Sequence, residues 1–203
     1  MPTTRLSLHG LPVTVANTEP GIDTDEVVRR LGQALALIAQ YAPRRYRRLQ
    51  QDVDEMVVQR FPCRGAFFPD HRAILTELTF VVNRDFTPAQ VAASIVHEGQ
   101  HARIVRVLRG DVRNRRPREE RLCRQAELEF GLALPLADRG PVVERARSSL
   151  ALEDQGLAPE IDWEEAWRRK LVSVGPWCGV LGGGPRGARG RSGPGRQRGG
   201  MAP

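Results

Sequence analysis

The chain has 203 residues, which is enough for one domain with a sizeable core. Its formal net charge is +7, but residues 175–203 contain five arginines and no acidic residue, so they carry +5 and leave only +2 for residues 1–174. A nearly balanced body argues against nucleic-acid binding except through the basic tail.

The cysteines and the hydropathy of the chain bear on where the protein is found. Cys63, Cys123 and Cys178 are odd in number and show no CxxC spacing, which favours a reducing compartment over a disulfide-linked scaffold. The sequence shows neither a basic-then-apolar leader nor an apolar run of about 18 residues. We therefore expect a cytoplasmic protein that does not associate with a membrane.

The N-terminal part of the chain predicts a strand pair and then a helix. Apolar and polar residues alternate on both sides of Gly10, which indicates a strand or small hairpin over residues 5–15. Asp23 and Glu26 have the spacing of a capping box, and apolar residues follow at helical intervals as far as Tyr41. We expect this helix to cover one face of a sheet.

The middle of the chain predicts two further strands. The arginine-rich run at residues 44–48 indicates a solvated loop or helix face. The apolar runs 56–58 and 73–82 have strand character, and residues 65–70 between them indicate a turn or an irregular crossing. Because the second strand leads almost directly into a helix, we expect it to lie alongside that helix, where an extended peptide could add through main-chain hydrogen bonds.

Residues 86–108 predict a buried central helix. Thr87 suits the N-cap, Pro88 suits the first helical position, and Gln90 completes a capping box with Thr87. Apolar residues then occur on nearly every side, which is typical of a helix that is buried over most of its surface. Gly110 indicates where the helix stops.

This helix carries the HExxH pattern, formed by His97, Glu98 and His101. Side chains four residues apart project from the same face of a helix, so the two imidazoles could form two corners of a tetrahedral Zn²⁺ site. Glu98 would lie beside them as the general base that activates a water molecule. The other two histidines, His9 and His71, have the surroundings of ordinary surface or turn residues.

A second helix is predicted at residues 118–136, after a polar loop. It would place Glu120 and Glu127, two turns apart, at the border of one apolar face. Cys123 lies between them and would also face inward, as a small buried thiol.

The last part of the chain differs in composition from the rest. Weaker helical patterns at residues 142–152 and 163–171 are followed by Gly/Arg/Pro repeats with too few apolar side chains to offset the entropy of ordering. We therefore expect one domain over residues 1–172 and a disordered tail over residues 173–203.

The stretch VHEGQHARI, followed by EERLCRQAELEF, resembles the gluzincin branch of the zincin metallopeptidases and is similar to small bacterial proteins of that general type. The resemblance covers roughly residues 73–135. It implies an α+β fold, with a short, mostly antiparallel sheet packed on a central HExxH helix and further helices after it. It also implies Zn²⁺ as the cofactor and a glutamate on the following helix as the third ligand.

Several carboxylates could be that third ligand. Glu120 lies 19 residues after His101 and is our first choice, and Glu127, at 26 residues, is a close second. The one that does not bind the metal could orient a histidine by accepting its proton. Glu119 is a weaker choice because it is rotated by about 100° from Glu120 on the helix. Asp111 is weaker because it lies on a predicted loop.

The group that would stabilise the oxyanion is less clear from the sequence. Gluzincins use a histidine or tyrosine downstream of the motif, whereas here both tyrosines and the remaining histidines precede it. Arg121, Arg124, a backbone amide or Tyr46 would have to take that role.

The sequence thus predicts a zinc-dependent metallopeptidase that hydrolyses a protein or peptide substrate with Glu98 as general base. The alternative is a catalytically inactive zincin-like domain that keeps its metal for structure or for binding a protein partner. A third hypothesis is a nucleic-acid-binding protein that uses the arginine run and the tail, and it predicts binding that weakens with salt.

Overall fold

The computed structural model describes residues 3–108 and 116–158, together with residues 162, 164–166 and 168. The strands are β1 (Thr3–Leu8), β2 (Leu11–Ala16), β3 (Glu55–Gln59), β4 (Gly65–Phe68) and β5 (Ala73–Glu77). The helices are α1 (Thr24–Tyr41), α2 (Pro43–Asp52), α3 (Leu78–Val82), α4 (Pro88–Val107), α5 (Arg116–Ala133), α6 (Leu136–Leu150) and α7 (Asp154–Leu157). The predicted α+β class is confirmed.

The sheet is mixed, and the expectation of a mostly antiparallel sheet is wrong. The strand order is β1-β2-β3-β5-β4. The outer pairs β1–β2 and β4–β5 are antiparallel, while β2–β3 and β3–β5 are parallel. The segment between β2 and β3 holds α1 and α2, and a crossover of that length returns the chain to the same end of the sheet, which gives parallel pairing.

Helix α4 lies at the centre of the molecule, where it packs against α1, α2, α5, α6, β4 and β5. Its predicted capping box is confirmed. The Thr87 hydroxyl accepts from the Gln90 amide at 3.3 Å, and the Gln90 side chain accepts from the Thr87 amide at 2.9 Å. Most of its length is buried, as predicted, and the helix becomes exposed only near its end, at Val105 and Val107.

The region before α4 departs from the sequence prediction in two ways. The strand predicted at residues 73–82 ends at Glu77, whose carboxylate accepts from the Phe80 amide at 2.7 Å and caps α3. The segment predicted as a turn at residues 65–70 contains β4, which pairs with β5. Strand β5 is therefore interior, and the edge strand that lies beside α4 is β4.

Other predicted elements are present with small changes. Asp23 caps α1, as its position suggested, while Glu26 pairs with Arg29 instead of closing a capping box. The arginine-rich run forms part of α2 with several exposed side chains. No described helix combines the length and the apolar character that a membrane crossing requires. Gly110, Asp111 and the tail at residues 173–203 lie outside the described residues, as do most of residues 163–171.

Candidate metal centre

Helix α4 presents two imidazoles to helix α5, which lies against it. Because His97 and His101 are four residues apart, their rings lie one turn from each other on the same face, and their Nε2 atoms are 3.2 Å apart. Helix α5 brings Glu120 to both. One carboxylate oxygen lies 3.2 Å from Nε2 of His97, and the other lies 3.4 Å from Nε2 of His101. Three donor groups therefore converge on one point between two helices.

This donor set fits a zinc ion. Zinc binds imidazole nitrogen and carboxylate oxygen at about 2.0–2.2 Å, so neighbouring ligand atoms of a tetrahedral site lie roughly 3.3–3.6 Å apart. The two Nε2 atoms are 3.2 Å apart, one Glu120 oxygen lies 3.2 Å from His97, and the other lies 3.4 Å from His101, so each distance is close to that range. Two imidazoles and one carboxylate would leave the fourth position for water or substrate.

Glu127 occupies a different place from Glu120. Its Oε1 atom lies 2.7 Å from Nδ1 of His97, whereas Glu120 contacts the other ring nitrogen, Nε2. The Glu127 side chain is 2% exposed. Nη1 of Arg124 donates to the same oxygen at 2.6 Å. This contact is a close ion-pair approach and not an aligned hydrogen bond, because Nδ1 has no hydrogen-bond partner among the described residues. A carboxylate beside Nδ1 favours a proton on that nitrogen, which leaves Nε2 to bind a metal.

The charges around the two histidines are strongly coupled. Burial alone would lower the pKa of His97, but the carboxylates of Glu120, Glu127 and Glu98 outweigh it and raise that pKa to about 9. Burial would raise the pKa of Glu120, whereas contact with His101 and His97 lowers it well below its usual range. At neutral pH a metal ion must therefore displace a proton from His97 before that ring can bind it.

Cys123 adds a fourth group near the same point. The thiol was predicted to be small and buried, and it is fully buried on α5. Its Sγ atom and one ring nitrogen from each of His97 and His101 lie within 4.8 Å of one another. Burial, and then the charges of Glu120, Glu98 and Glu127, raise the pKa of this thiol. The spacing of Cys123, three residues after Glu120, was the sequence signal for this proximity.

Glu98 lies next to the histidines and at the wall of a cavity. Its side chain is buried, and with His97 and Glu127 it lines a cavity of about 320 Å³. Strand β4 passes very close to it. A Cβ atom added to Gly65 would lie 3.2 Å from both Cγ and Oε1 of Glu98. The Glu98 side chain therefore lies between helix α4 and the edge strand of the sheet.

The groups considered for oxyanion stabilisation are placed differently from one another. Arg121 donates to Asp154 at 2.8 Å, at the junction of α6 and α7, and does not line the cavity. The Tyr46 hydroxyl donates to the His9 carbonyl at 2.7 Å. Arg124 alone among these three side chains lines the cavity beside Glu98.

Two charged cavity residues were not predicted from the sequence. They are Arg64, which precedes β4, and Arg145, on α6. Neither is part of a local motif, because tertiary packing alone brings them to the site.

Comparison with protein-family models, with curated proteins and with solved structures gives no match to this chain.

Proposed function

We propose that the chain is a zinc-dependent metallopeptidase of gluzincin-like, zincin-type architecture, acting on protein or peptide substrates. His97, His101 and Glu120 are its metal ligands, and Glu98 is its general base. The observation that carries the proposal is the close approach of His97, His101 and Glu120, whose nearest ligand atoms are 3.2–3.4 Å apart, with the buried Glu98 next to His97 at the wall of a cavity.

The proposed chemistry assigns a proton path to Glu98. A bound zinc ion would supply Lewis acidity, which polarises a carbonyl group and makes water more acidic. Glu98 takes the proton of the water that attacks the peptide carbonyl, and it then delivers that proton to the leaving amine nitrogen. Its buried position keeps bulk water from competing for the proton.

Arg124 is the side chain best placed to stabilise the developing oxyanion. One of its nitrogens is held by Glu127, which fixes the guanidinium beside the cavity. Its Nε atom is buried and has no hydrogen-bond partner among the described residues. A hydrogen-bond donor held in this position can stabilise the negative charge that develops on the carbonyl oxygen.

The edge strand suggests how a substrate would lie. Strand β4 runs beside α4, and Gly65 at its start is in close contact with Glu98. An extended peptide that adds to the outer edge of β4 would carry its main chain past Glu98. Cys123 is a free thiol, and this supports the proposal that the protein works in the cytoplasm.

Replacing Glu98 tests the proposal directly. The Glu98→Gln variant should keep one zinc per chain, because Glu98 is not a proposed ligand. Its rate of hydrolysis of an unfolded protein substrate should fall by roughly 10²–10⁴-fold. Zinc content by elemental analysis and cleavage by gel or mass spectrometry measure the two effects. Retained zinc with undiminished, chelator-sensitive cleavage would exclude Glu98 as the base.

Cys123 favours a second candidate function, a catalytically inactive zincin-like domain that binds metal or a protein partner. If its sulfur joined His97, His101 and Glu120, the four ligands would close the coordination sphere, as in structural zinc sites. Cobalt substitution separates the two candidates, because a thiolate ligand gives an intense charge-transfer band in the near ultraviolet. That band, lost in Cys123→Ala, would favour the closed site, and its absence favours the peptidase.

A further inference from the structure

The cavity beside the candidate metal centre has walls of opposite charge. His97 and Glu98 line it on the side of α4. Arg64, Arg124 and Arg145 line it as well, and they come from the segment before β4, from α5 and from α6. Its volume of about 320 Å³ lies at the lower end of the range of ligand pockets, roughly 300–1,000 Å³, and so fits a small group.

Only one of the three arginines is paired with a carboxylate inside this site. Arg124 donates to Glu127 at 2.6 Å, and Glu127 also contacts His97. That carboxylate is thus shared between a guanidinium and an imidazole. By formal charge, the two carboxylates that line the cavity, Glu98 and Glu127, balance two of its three arginines and leave one positive charge in excess.

Arg64 and Arg145 have no carboxylate partner among the described residues. The guanidinium of Arg64 lies over the rings of Phe86 and Phe80, with its central carbon 4.4 and 5.3 Å from their centroids, and this contact holds it in place without neutralising it. Both arginine side chains are half-buried.

The surroundings disfavour the charge on both side chains. The pKa of Arg64 is lowered by burial and by the charge of Arg124, partly offset by the charge of Glu127. The pKa of Arg145 is lowered by burial and by Arg64 and Arg124, partly offset by Glu127. An anion placed between Arg64 and Arg145 would relieve this unfavourable arrangement.

We propose that this cavity is a carboxylate-binding subsite, in which Arg64 and Arg145 hold a carboxylate of the peptide substrate in the cavity that His97 and Glu98 also line. The inference rests on the proposed peptidase function. A guanidinium presents paired N–H groups that match the planar oxygens of a carboxylate. The carboxylates of Glu98 and Glu127 on the cavity wall would repel a phosphate dianion more strongly than a monoanion. The carboxylate can come from the C-terminus of the peptide or from an acidic side chain.

Peptide binding to zinc-loaded Glu98→Gln protein tests the subsite without turnover. The first probe is N-acetyl-trialanine with a free C-terminal carboxylate, and the second is its C-terminal amide. The third is the same amide with glutamate in place of the last alanine. Calorimetry measures the dissociation constant of each probe. At least tenfold tighter binding of the free acid than of the first amide supports C-terminal recognition. The same gain for the glutamate-containing amide supports side-chain recognition. Equal binding of all three probes, or no binding of any, overturns the subsite.

Variants identify the arginines responsible. In the Glu98→Gln background, Arg145→Gln should reduce the tenfold preference for the carboxylate-containing probe over the first amide to less than threefold. Arg64→Gln should have the same effect. Arg145→Lys should retain part of it. The matched control is Arg147→Gln, because Arg147 is exposed on the same helix two residues away. A preference that survives in both glutamine variants contradicts the assignment, and circular dichroism verifies that each variant is folded.

Failure of the subsite can be distinguished from failure of the peptidase proposal. If the carboxylate preference is present but zinc-loaded wild-type protein cleaves no peptide, the subsite stands and the proposed function fails. If wild-type protein cleaves the free acid and the amide at equal rates, the proposed function stands and the subsite fails. Repeating the binding measurement with a chelator shows whether the arginines bind the carboxylate without metal.

Discussion

At the scale of single residues, helical geometry made the histidines of the motif predictable but left the third ligand open. Glu120 and Glu127 are seven residues apart, so on a helix they differ by about 20° in direction and about 10 Å along the axis. Both therefore face the same neighbour. Only the position of α5 along α4 decides that Glu120 meets both Nε2 atoms and Glu127 meets Nδ1 of His97. That offset is a tertiary property that the residue pattern does not contain.

The two glutamates should respond differently to replacement. Glu120→Ala removes a proposed ligand and should abolish stoichiometric zinc binding. Glu127→Ala removes the carboxylate beside His97 Nδ1, which is also the acceptor of Arg124, and should weaken zinc binding by about 10–100-fold. Glu129→Ala on the same helix is the control, because that side chain is largely exposed and pairs with Arg45. Competition with a chromogenic chelator measures the zinc affinity of each variant. A larger loss of affinity in Glu127→Ala than in Glu120→Ala would make Glu127 the ligand and Glu120 the residue that orients a histidine.

At the scale of elements, long helices with clear caps were predictable, whereas short elements were not. Helix α1 combines an N-cap with sustained apolar periodicity, and α4 combines a capping box with apolar residues on nearly every side. The apolar run Leu78–Val82 has strand propensity but forms α3, because Glu77 caps it and Arg30 on α1 donates to the Val81 carbonyl. Tertiary contacts therefore override local preference there. Strand β4 has only four residues, too few to show a period.

The close approach of β4 and α4 makes Gly65 a sensitive position. In Gly65→Ala, the new methyl group would lie 3.2 Å from Glu98 and 3.3 Å from the Ser94 hydroxyl, so the Glu98 carboxylate must shift by a few tenths of an ångström. We expect about tenfold slower peptide hydrolysis with unchanged zinc content, because the ligands are not displaced. Gly21→Ala, whose methyl group would meet no atom within 4 Å, should have no effect on hydrolysis. Equal rates for both variants would argue against tight β4–α4 packing at Glu98.

At the scale of the whole molecule, the class of fold was predictable but the sheet was only partly so. The family resemblance covered roughly residues 73–135, and it carried no information about β1, β2 and β3. The crossover through α1 and α2 makes the centre of the sheet parallel. The cavity arginines come from three separate parts of the chain, so no local pattern could have indicated them.

The stability of the metal-free protein should depend on pH through the histidine–glutamate cluster. The pKa of His97 rises from 6.5 to about 9 on folding, so its contribution is fully present below pH 6.5 and is lost as pH rises towards 9. The pKa values of Glu120 and Glu127 fall on folding, so their contribution is present above about pH 4.5 and is lost on acidification. Stability from the cluster is therefore greatest between pH 4.5 and 6.5.

Urea unfolding with a chelator present tests this dependence. Between pH 6 and 9.5 the wild-type protein should lose on the order of 3 kcal/mol of unfolding free energy from this source. His97→Gln should lose much less over the same range, whereas His71→Gln, at an exposed position, should behave like the wild type. Parallel pH profiles for wild type and His97→Gln would show that His97 is not the group responsible.

The position of the three donors on two helices has a consequence for the lifetime of the protein. A zinc ion held by His97, His101 and Glu120 would act as a reversible cross-link between α4 and α5. By mass action, a ligand at 1,000 times its dissociation constant stabilises the folded state by about 4 kcal/mol. Because the zinc-bound protein would unfold less often, the zinc concentration would then set the rate of its degradation as well as the fraction of molecules that are active.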